Sequence, residues 1–219
     1  MRKNIILLAA MILYAGILKA QKPENIIAAV GTPPNPKVQV SWNRYNDYAA
    51  ITDICKKLAA AHPNLVKLES MGKSFQGKDL WVMTITDTKV GTADKKPAMY
   101  IDGNIHSNEI QGSEFALYTA WYLAEMFANG NPSIMSLLAD KTFYIAPTIN
   151  PDARDNFIHQ ANTAHSPRTG MIPIDNDRDG LTNEDGFDDL DGDGHIVMMR
   201  RKSETGRFKV DPTDNRRMI

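Results

Sequence analysis

The chain has 219 residues, a length that predicts one domain of ordinary size. Apolar residues make up 42% and charged residues 23%, the balance of a globular protein, which excludes wholesale disorder. The formal net charge of −1 gives no indication of nucleic acid or an anionic membrane surface as a partner, and the single cysteine, Cys55, excludes an intrachain disulfide framework and a multi-cysteine zinc site.

The first twenty residues have the three-part layout of a secretory signal peptide. A basic start ("MRK") precedes an apolar run from Ile5 to Leu18, and cleavage is expected after Ala20. The alternative is a membrane anchor, but the run is short for a span of roughly 20 residues. We therefore expect an exported protein, secreted or periplasmic, with no stable membrane anchor after signal cleavage. Cleavage removes three positive charges and takes the formal charge from −1 to −4.

The next segments predict a linker, a helix and two strands. Residues 21–40 are rich in proline and polar groups and predict a leader or linker. Apolar residues at helical spacing between Asn46 and His62 predict a helix that ends before Pro63, and Cys55 falls on its apolar side as a core residue, not a nucleophile. Strands are predicted in "NLVKLESMG" and "LWVMTIT", joined by the turn "SFQG".

A third strand, "AMYIDGNI", leads into a helix from about Ile110 to Phe127. A shorter helix is predicted in "SIMSLLAD" and a fourth strand in "TFYIAPTIN". Strands that alternate with helices favour an α/β fold with a mixed, partly parallel sheet flanked by helices. We predict one domain over residues 41–219, after the signal peptide at 1–20 and the linker at 21–40.

A histidine and a carboxylate stand where the third strand gives way to the long helix. Ligands of open α/β sheets gather beyond the carboxyl ends of the strands, and His106 and Glu109 are close enough in sequence to meet one cation there. Zinc accepts this nitrogen and oxygen pair, and a catalytic zinc usually takes three protein ligands. The alternative is that Glu109 interacts with the helix N-terminus while His106 merely ends the strand.

Several segments, in matching order, resemble the zinc carboxypeptidases, the carboxypeptidase A and B family. They are the tyrosine-bearing helix in "SWNRYNDYAAITDICKKL", then "HPNLVKLESMGKSFQGKDLWVM", the Gly-x-x-His-x-x-Glu element in "GNIHSNE", and Asn-Pro-Asp in "YIAPTINPDARDNF". The resemblance covers roughly residues 41–157 and extends more loosely to about Lys202. It implies that His106 and Glu109 are the first two zinc ligands of a hydrolase that cleaves peptide or protein substrates with a zinc-bound water.

The family needs more groups than these. It uses a second histidine as a zinc ligand, a glutamate as general base, and arginines that hold the carbonyl oxygen and the substrate carboxylate. The later histidines here, His159, His165 and His195, lie in polar loops without the context of that ligand, and the general base is not identified either. We therefore expect a carboxypeptidase-like fold that is C-terminally incomplete, and no peptidase activity from this chain alone.

Two further segments match the family in part. "MMRRK" resembles its aromatic-Arg-Lys segment, whose arginine stabilises the transition-state oxyanion. Arg200 is the better match for this catalytic role and Arg201 the alternative; a solvated basic cluster is the other interpretation. Residues 150–152 (Asn-Pro-Asp) match the family's turn after its strand, where their role is mostly structural, and Ala153 stands where the family commonly has glycine.

An acidic insertion at about residues 175–194 is unlike the vertebrate digestive members of the family. Nine acids and one arginine give it a charge of −8 over nineteen residues. Two Asp-x-Asp-x-Asp-Gly runs fit the first half of a calcium loop, although the twelfth position of the first is Gly186 and not the glutamate of an EF-hand. The alternative is a solvated acidic loop. The candidate calcium ligands are Asp175, Asp177, Asp179, Asp189, Asp191 and Asp193.

Two other functions stay open. Related zinc-dependent enzymes that cleave an N-acyl group from an amino acid share the His-x-x-Glu element, although the export signal and the peptidase-like segments disfavour that activity. The third hypothesis is a non-catalytic, calcium-stabilised surface module that has the same fold.

Overall fold

The computed structural model describes residues 31–163, 170–186, 188–197 and 199–219. The predicted signal peptide and the first part of the predicted linker lie outside these residues. Within them, no helix has both the length and the apolar character needed to cross a membrane.

The helices and strands follow the predicted order, with one additional helix. In chain order the described residues form α1 (Tyr48–Ala61), β1 (Val66–Lys73), β2 (Asp79–Ile85), a 3-10 turn (Ala93–Lys95), β3 (Ala98–Asp102), α2 (Ile110–Ala128), α3 (Pro132–Asp140), β4 (Thr142–Ala146) and α4 (Pro151–His159).

The four strands form one mixed sheet in the order β1-β2-β4-β3. β1 pairs antiparallel with β2, and β2 pairs antiparallel with β4. β3 runs parallel to β4, with Tyr100 opposite Tyr144, and α2 and α3 connect the two strands. The predicted mixed, partly parallel sheet flanked by helices is confirmed. Because β3 and β4 are parallel, their carboxyl ends meet at the same edge of the sheet, where ligands of such folds bind.

Apolar periodicity explains the first helix. Ile51, Cys55 and Leu58 are completely buried, as their spacing predicts, and the side chain of Asp47 caps the helix by accepting from the N–H of Ala50 at 2.9 Å. Burial raises the pKa of the Cys55 thiol to about 12. Since the thiolate is the nucleophilic form, Cys55 is a core residue and not a nucleophile.

The end of the predicted linker belongs to the folded domain. Val38 and Val40 are buried in the hydrophobic core. The N–H groups of Lys37 and Val38 donate to the carboxylate of Glu125, in the last turn of α2, at 2.8 and 2.9 Å. Residues 37–40 therefore pack against the domain and do not form a linker, because both their apolar side chains and their backbone groups have partners in it.

The third strand is shorter than predicted. It ends at Asp102, and residues 103–105 lie in the loop that follows. The N–H of Gly103 still bonds to the carbonyl of Ala146 in β4 at 3.2 Å, but Asn104 has a φ of +59°. A left-handed residue cannot continue an extended strand, so the chain turns there.

Residues 150–152 do not form a free-standing turn; they begin α4. Asn150 is the N-cap, and its side-chain oxygen accepts from the N–H of Ala153 at 3.4 Å. Pro151 occupies the first turn, where its missing N–H costs no helical bond. Ala153 is fully buried within this helix, so a residue other than glycine is accommodated at that position.

Candidate metal centre

The loop from Gly103 to Glu109 joins β3 to α2 at the edge where the two parallel strands end. The Nδ2 of Asn104 donates to the carbonyls of His106 and Ser107, at 2.7 and 3.1 Å. The N–H of Glu109 donates to the carbonyl of His106 at 3.2 Å. These bonds fold the loop back on itself and bring the side chains of residues 106 and 109 together.

The structure places the two predicted zinc ligands in direct contact. Nδ1 of His106 lies 2.9 Å from Oε1 of Glu109, and the side chains are 31% and 51% exposed. Glu109 is the residue that precedes α2, yet its side chain makes no hydrogen bond to the helix N-terminus. This arrangement disfavours the alternative in which Glu109 only caps the helix.

The pair fits two positions of a tetrahedral zinc site. Ligand atoms about 2.0–2.1 Å from a tetrahedral zinc stand about 3.3 Å apart. The observed 2.9 Å is a few tenths of an ångström shorter, so a small side-chain rotation suffices. Imidazole nitrogen and carboxylate oxygen are both common zinc ligands. In the described part of the chain, the groups of three or more metal-ligating side chains lie in the acidic insertion, so at a zinc site this pair would supply two of the usual three protein ligands.

Two of the later histidines occupy other places. His159 is the last residue of α4, not a loop residue as predicted, and its Nε2 lies 3.3 Å from Oδ2 of Asp47. His195 is exposed, and its N–H donates to Oδ1 of Asp193 in the acidic insertion. His165 lies outside the described residues.

Arg200, the candidate for oxyanion stabilisation, is exposed. Its Nη1 donates to Sδ of Met218 at 3.5 Å, a weak contact between exposed side chains. Arg201 is exposed as well. The catalytic role of Arg200 stays a prediction.

The two Asp-x-Asp-x-Asp-Gly runs fold in the same way. Asp175 accepts from the N–H groups three and five residues later, at 2.6 and 3.0 Å, and Asp189 does the same at 2.9 and 2.8 Å. The glycines that end the runs, Gly180 and Gly194, have φ of +95° and +87°, which explains why glycine stands there. The N–H groups, Gly194 foremost, hold the pKa of the Asp189 carboxyl below its usual value.

The carboxylates of each run gather at one place. In each group the oxygen atoms lie within 4.8 Å of one another. The first group contains a member that the spacing did not predict, Glu184. The two groups are Asp175, Asp177, Asp179 and Glu184, and then Asp189, Asp191 and Asp193.

Sequence reasoning missed a buried charge pair beneath the metal loop. Arg154 in α4 is completely buried, and its Nη2 lies 2.7 Å from Oε1 of Glu114 in α2. Desolvation lowers the pKa of Arg154, and the charge of Glu114 opposes this shift. The available indication was a glutamate at position 114 in a largely apolar helix that also contains Glu125, because a charge is rarely buried without a partner.

Comparison with known proteins identifies the family. The family model for zinc carboxypeptidase matches residues 51–170, which include His106 and Glu109. Carboxypeptidase Z of Rattus norvegicus is 35% identical over 108 residues, which cover 49% of this chain and 17% of that protein. Carboxypeptidase B of Astacus astacus is 33% identical over 113 residues, 52% of this chain and 35% of that protein.

A solved structure, carboxypeptidase A from Helicoverpa armigera, has a TM-score of 0.48 at 23% identity, covering 60% of this chain and 31% of that one. The chain thus spans about a third or less of the length of these relatives. The family model nevertheless matches more than half of the chain, and the resemblance found in the sequence is confirmed. This protein belongs to the zinc carboxypeptidase family.

Proposed function

We propose that His106 and Glu109 are two of the zinc ligands of a carboxypeptidase-like hydrolase that acts on peptide or protein substrates, and that the described residues alone do not complete its active site. The observation that supports this is the 2.9 Å approach of Nδ1 to Oε1 at the carboxyl end of β3, within the residues that the family model matches. The family match also favours peptide hydrolysis over removal of an N-acyl group.

The residues of the chain would contribute as follows. A zinc ion held by the pair would supply Lewis-acid chemistry, which polarises a scissile carbonyl and lowers the pKa of water. To bind it, Nδ1 of His106 must carry no proton and Glu109 must be ionised. The exposure of both side chains leaves the pair accessible to a peptide end. Arg200 is proposed to stabilise the oxyanion, which requires its guanidinium to leave Met218.

His106→Ala is expected to abolish zinc binding by the chain. The wild-type chain should bind zinc weakly, because the pair supplies two of the usual three protein ligands. Zinc titration followed by the imidazole resonances in nuclear magnetic resonance measures this, and His159→Ala is the matched control, since His159 contacts Asp47 and not the pair. Zinc affinity unchanged by His106→Ala would show that the ligand assignment is wrong.

The same preparation tests activity. With two protein ligands gathered by the described residues, we expect no hydrolysis of a panel of peptides with different C-terminal residues, even with added zinc. Turnover that EDTA abolishes and zinc restores would show that the chain carries a complete site, and would overturn this expectation.

We also propose that the acidic insertion binds calcium. Carboxylate oxygens within 4.8 Å of one another repel unless a cation lies among them, and Glu184 adds a fourth carboxylate to the first group. Both runs also present glycine in the left-handed conformation that a calcium loop needs for its sharp turn. The proposal concerns the stability of the insertion and is independent of the zinc chemistry.

Calorimetric titration of the chain with calcium should show uptake, with dissociation constants of about 10⁻⁴–10⁻³ M, as in extracellular modules. Asp177→Ala together with Asp191→Ala should weaken it, because one carboxylate is lost from each group. Asp53→Ala, which removes an exposed carboxylate of α1 far from the insertion in sequence, is the control. Flat traces at millimolar calcium would contradict calcium binding and favour a solvated acidic loop.

A further inference from the structure

Arg154 lies beneath the loop that carries the metal pair and contacts both ends of that loop. Its Nη1 donates to the carbonyl of Ile110 at 2.9 Å, the residue directly after Glu109. The same nitrogen lies 3.5 Å from Oδ1 of Asn104, two residues before His106. One guanidinium group therefore bridges the start and the end of the segment that presents the two side chains.

Asn104 contacts both Arg154 and the carbonyl groups of the loop. Its Oδ1 faces Arg154 and the hydroxyl of Thr148, at 3.5 and 3.4 Å, while its Nδ2 donates to the carbonyls of His106 and Ser107. Arginine has only donors, so a half-turn of the Asn104 amide would set its NH₂ group against the guanidinium. Arg154 thus selects the amide orientation that holds the loop carbonyls.

The position of Arg154 is fixed from its other side. Nε and Nη2 donate to the carbonyl of Asn46 at 2.9 and 2.6 Å, and Nη2 also lies 2.7 Å from Oε1 of Glu114. The two oxygens of Glu114 in turn accept from the N–H and the Nδ2 of Asn46. These acceptors match the planar fork of a guanidinium, which the single ammonium of lysine does not reproduce.

We propose that Arg154 is a positioning residue for the metal pair. Acting through the amide of Asn104 and the carbonyl of Ile110, it holds the loop in the form in which Nδ1 of His106 and Oε1 of Glu109 face one cation. The inference rests on the proposed function, zinc binding by that pair. If Arg154 only fastened α4 to α2, replacing it would lower the stability of the protein and leave its zinc affinity unchanged.

Arg154→Lys keeps the charge and removes the fork. We expect it to weaken zinc binding about 10- to 100-fold, the usual loss when a group that orients a metal ligand is replaced. The matched control is Asp152→Asn in the same helix. Asp152 is 4% exposed and bonds to Ser74 and Gln76, outside the metal loop. The Asp152→Asn substitution should lower the melting temperature without changing the zinc dissociation constant.

Asn104→Gly provides a second, independent variant. Glycine adopts the φ of +59° without steric cost, so the backbone is kept while the amide that links Arg154 to the loop is removed. It should weaken zinc binding as Arg154→Lys does. In the double variant the loss in affinity should be smaller than the product of the two single losses, because both residues act along one path.

Zinc titration of the full chain and thermal unfolding of each variant decide between the outcomes. If His106→Ala leaves zinc binding intact, the proposed function itself fails. If His106→Ala abolishes binding while Arg154→Lys and Asn104→Gly keep the wild-type dissociation constant, Arg154 is structural only and the inference fails. Should Arg154→Lys not fold, Asn104→Gly decides alone: wild-type zinc affinity in that variant overturns the inference.

Discussion

Gly103→Ala is expected to destabilise the protein by about 3 kcal/mol or more, the upper end of what overpacking costs. A Cβ atom at this position would lie 2.5 Å from the carbonyl oxygen and 2.6 Å from the carbonyl carbon of Gly112, and 2.8 Å from the carbonyl oxygen of Pro147. All three are backbone atoms, so no side chain can rotate away. The methyl group fits only if α2 or the end of β4 moves.

The position of Gly103 explains why such a movement would also affect the ends of β3 and β4 and the metal loop. Its N–H donates to the carbonyl of Ala146, and its own carbonyl accepts from the N–H of Ile149 at 3.1 Å. Gly103 therefore joins the ends of β3 and β4 while the first turn of α2 crosses directly over it. A shift of α2 also displaces Glu109, so zinc binding should fall together with stability.

Urea unfolding, followed by circular dichroism, measures the decrease in the free energy of unfolding. Gly186→Ala is the matched control, because among the described atoms the Cβ there would have one neighbour within 4 Å, the carbonyl oxygen of Asn183 at an ordinary 3.7 Å. That substitution should change the free energy of unfolding by no more than about 0.5 kcal/mol, as is usual for surface positions. Equal unfolding midpoints for the two variants would mean that the junction of β3, α2 and β4 is not tightly packed.

The sequence predicted the elements whose apolar residues are periodic. α1 and α2 match the predicted ranges to within two residues, and all four strands lie where apolar runs predict them. α4 was missed because its buried residues are Pro151, Asp152, Ala153 and Arg154, which form no apolar stripe. The side chains that stabilise this helix are charged, and their partners lie in other segments of the chain.

The candidate site also has a part that the sequence predicts and a part that it does not. The contact between His106 and Glu109 could be predicted because it spans three residues and lies at a strand end, while their role as zinc ligands stays a prediction. The contacts that hold their loop could not, because Arg154 meets Asn104 across 50 residues and Asn46 across 108. Such pairs are decided by the tertiary fold, and no local pattern reveals them. Glu184 was likewise missed, because it lies outside the Asp-x-Asp-x-Asp-Gly spacing.

Glu125 presents the second large expected effect. This carboxylate in α2 is completely buried and accepts from the N–H groups of Lys37 and Val38 and from Nε2 of His62, the last at 3.0 Å. It joins the chain before α1, the C-cap residue of α1, and the last turn of α2. Three donors therefore depend on one side chain.

Glu125→Ala is expected to lower the free energy of unfolding by about 3–5 kcal/mol. Each buried donor that is left without an acceptor costs about 1–3 kcal/mol, and His62 would also lose its buried partner. Native domains have only about 5–15 kcal/mol in total, so the variant should be largely unfolded in mild urea. Residues 37–40 should also detach first and become sensitive to proteases.

Two variants make this result specific to the buried carboxylate. Asp53→Ala breaks an exposed ion pair with Lys57, whose side chains are 56% and 59% exposed, and should cost no more than about 1 kcal/mol. Glu125→Gln keeps the shape and one acceptor oxygen but turns an NH₂ group toward a donor. Its free energy of unfolding should therefore lie between those of the wild type and Glu125→Ala. If Glu125→Ala unfolds at the same urea concentration as Asp53→Ala, then residues 37–40 are not held by this carboxylate. Their packing on the domain then depends on the buried side chains of Val38 and Val40 and on the hydrogen bond from Nε1 of Trp121 to the carbonyl of Val38.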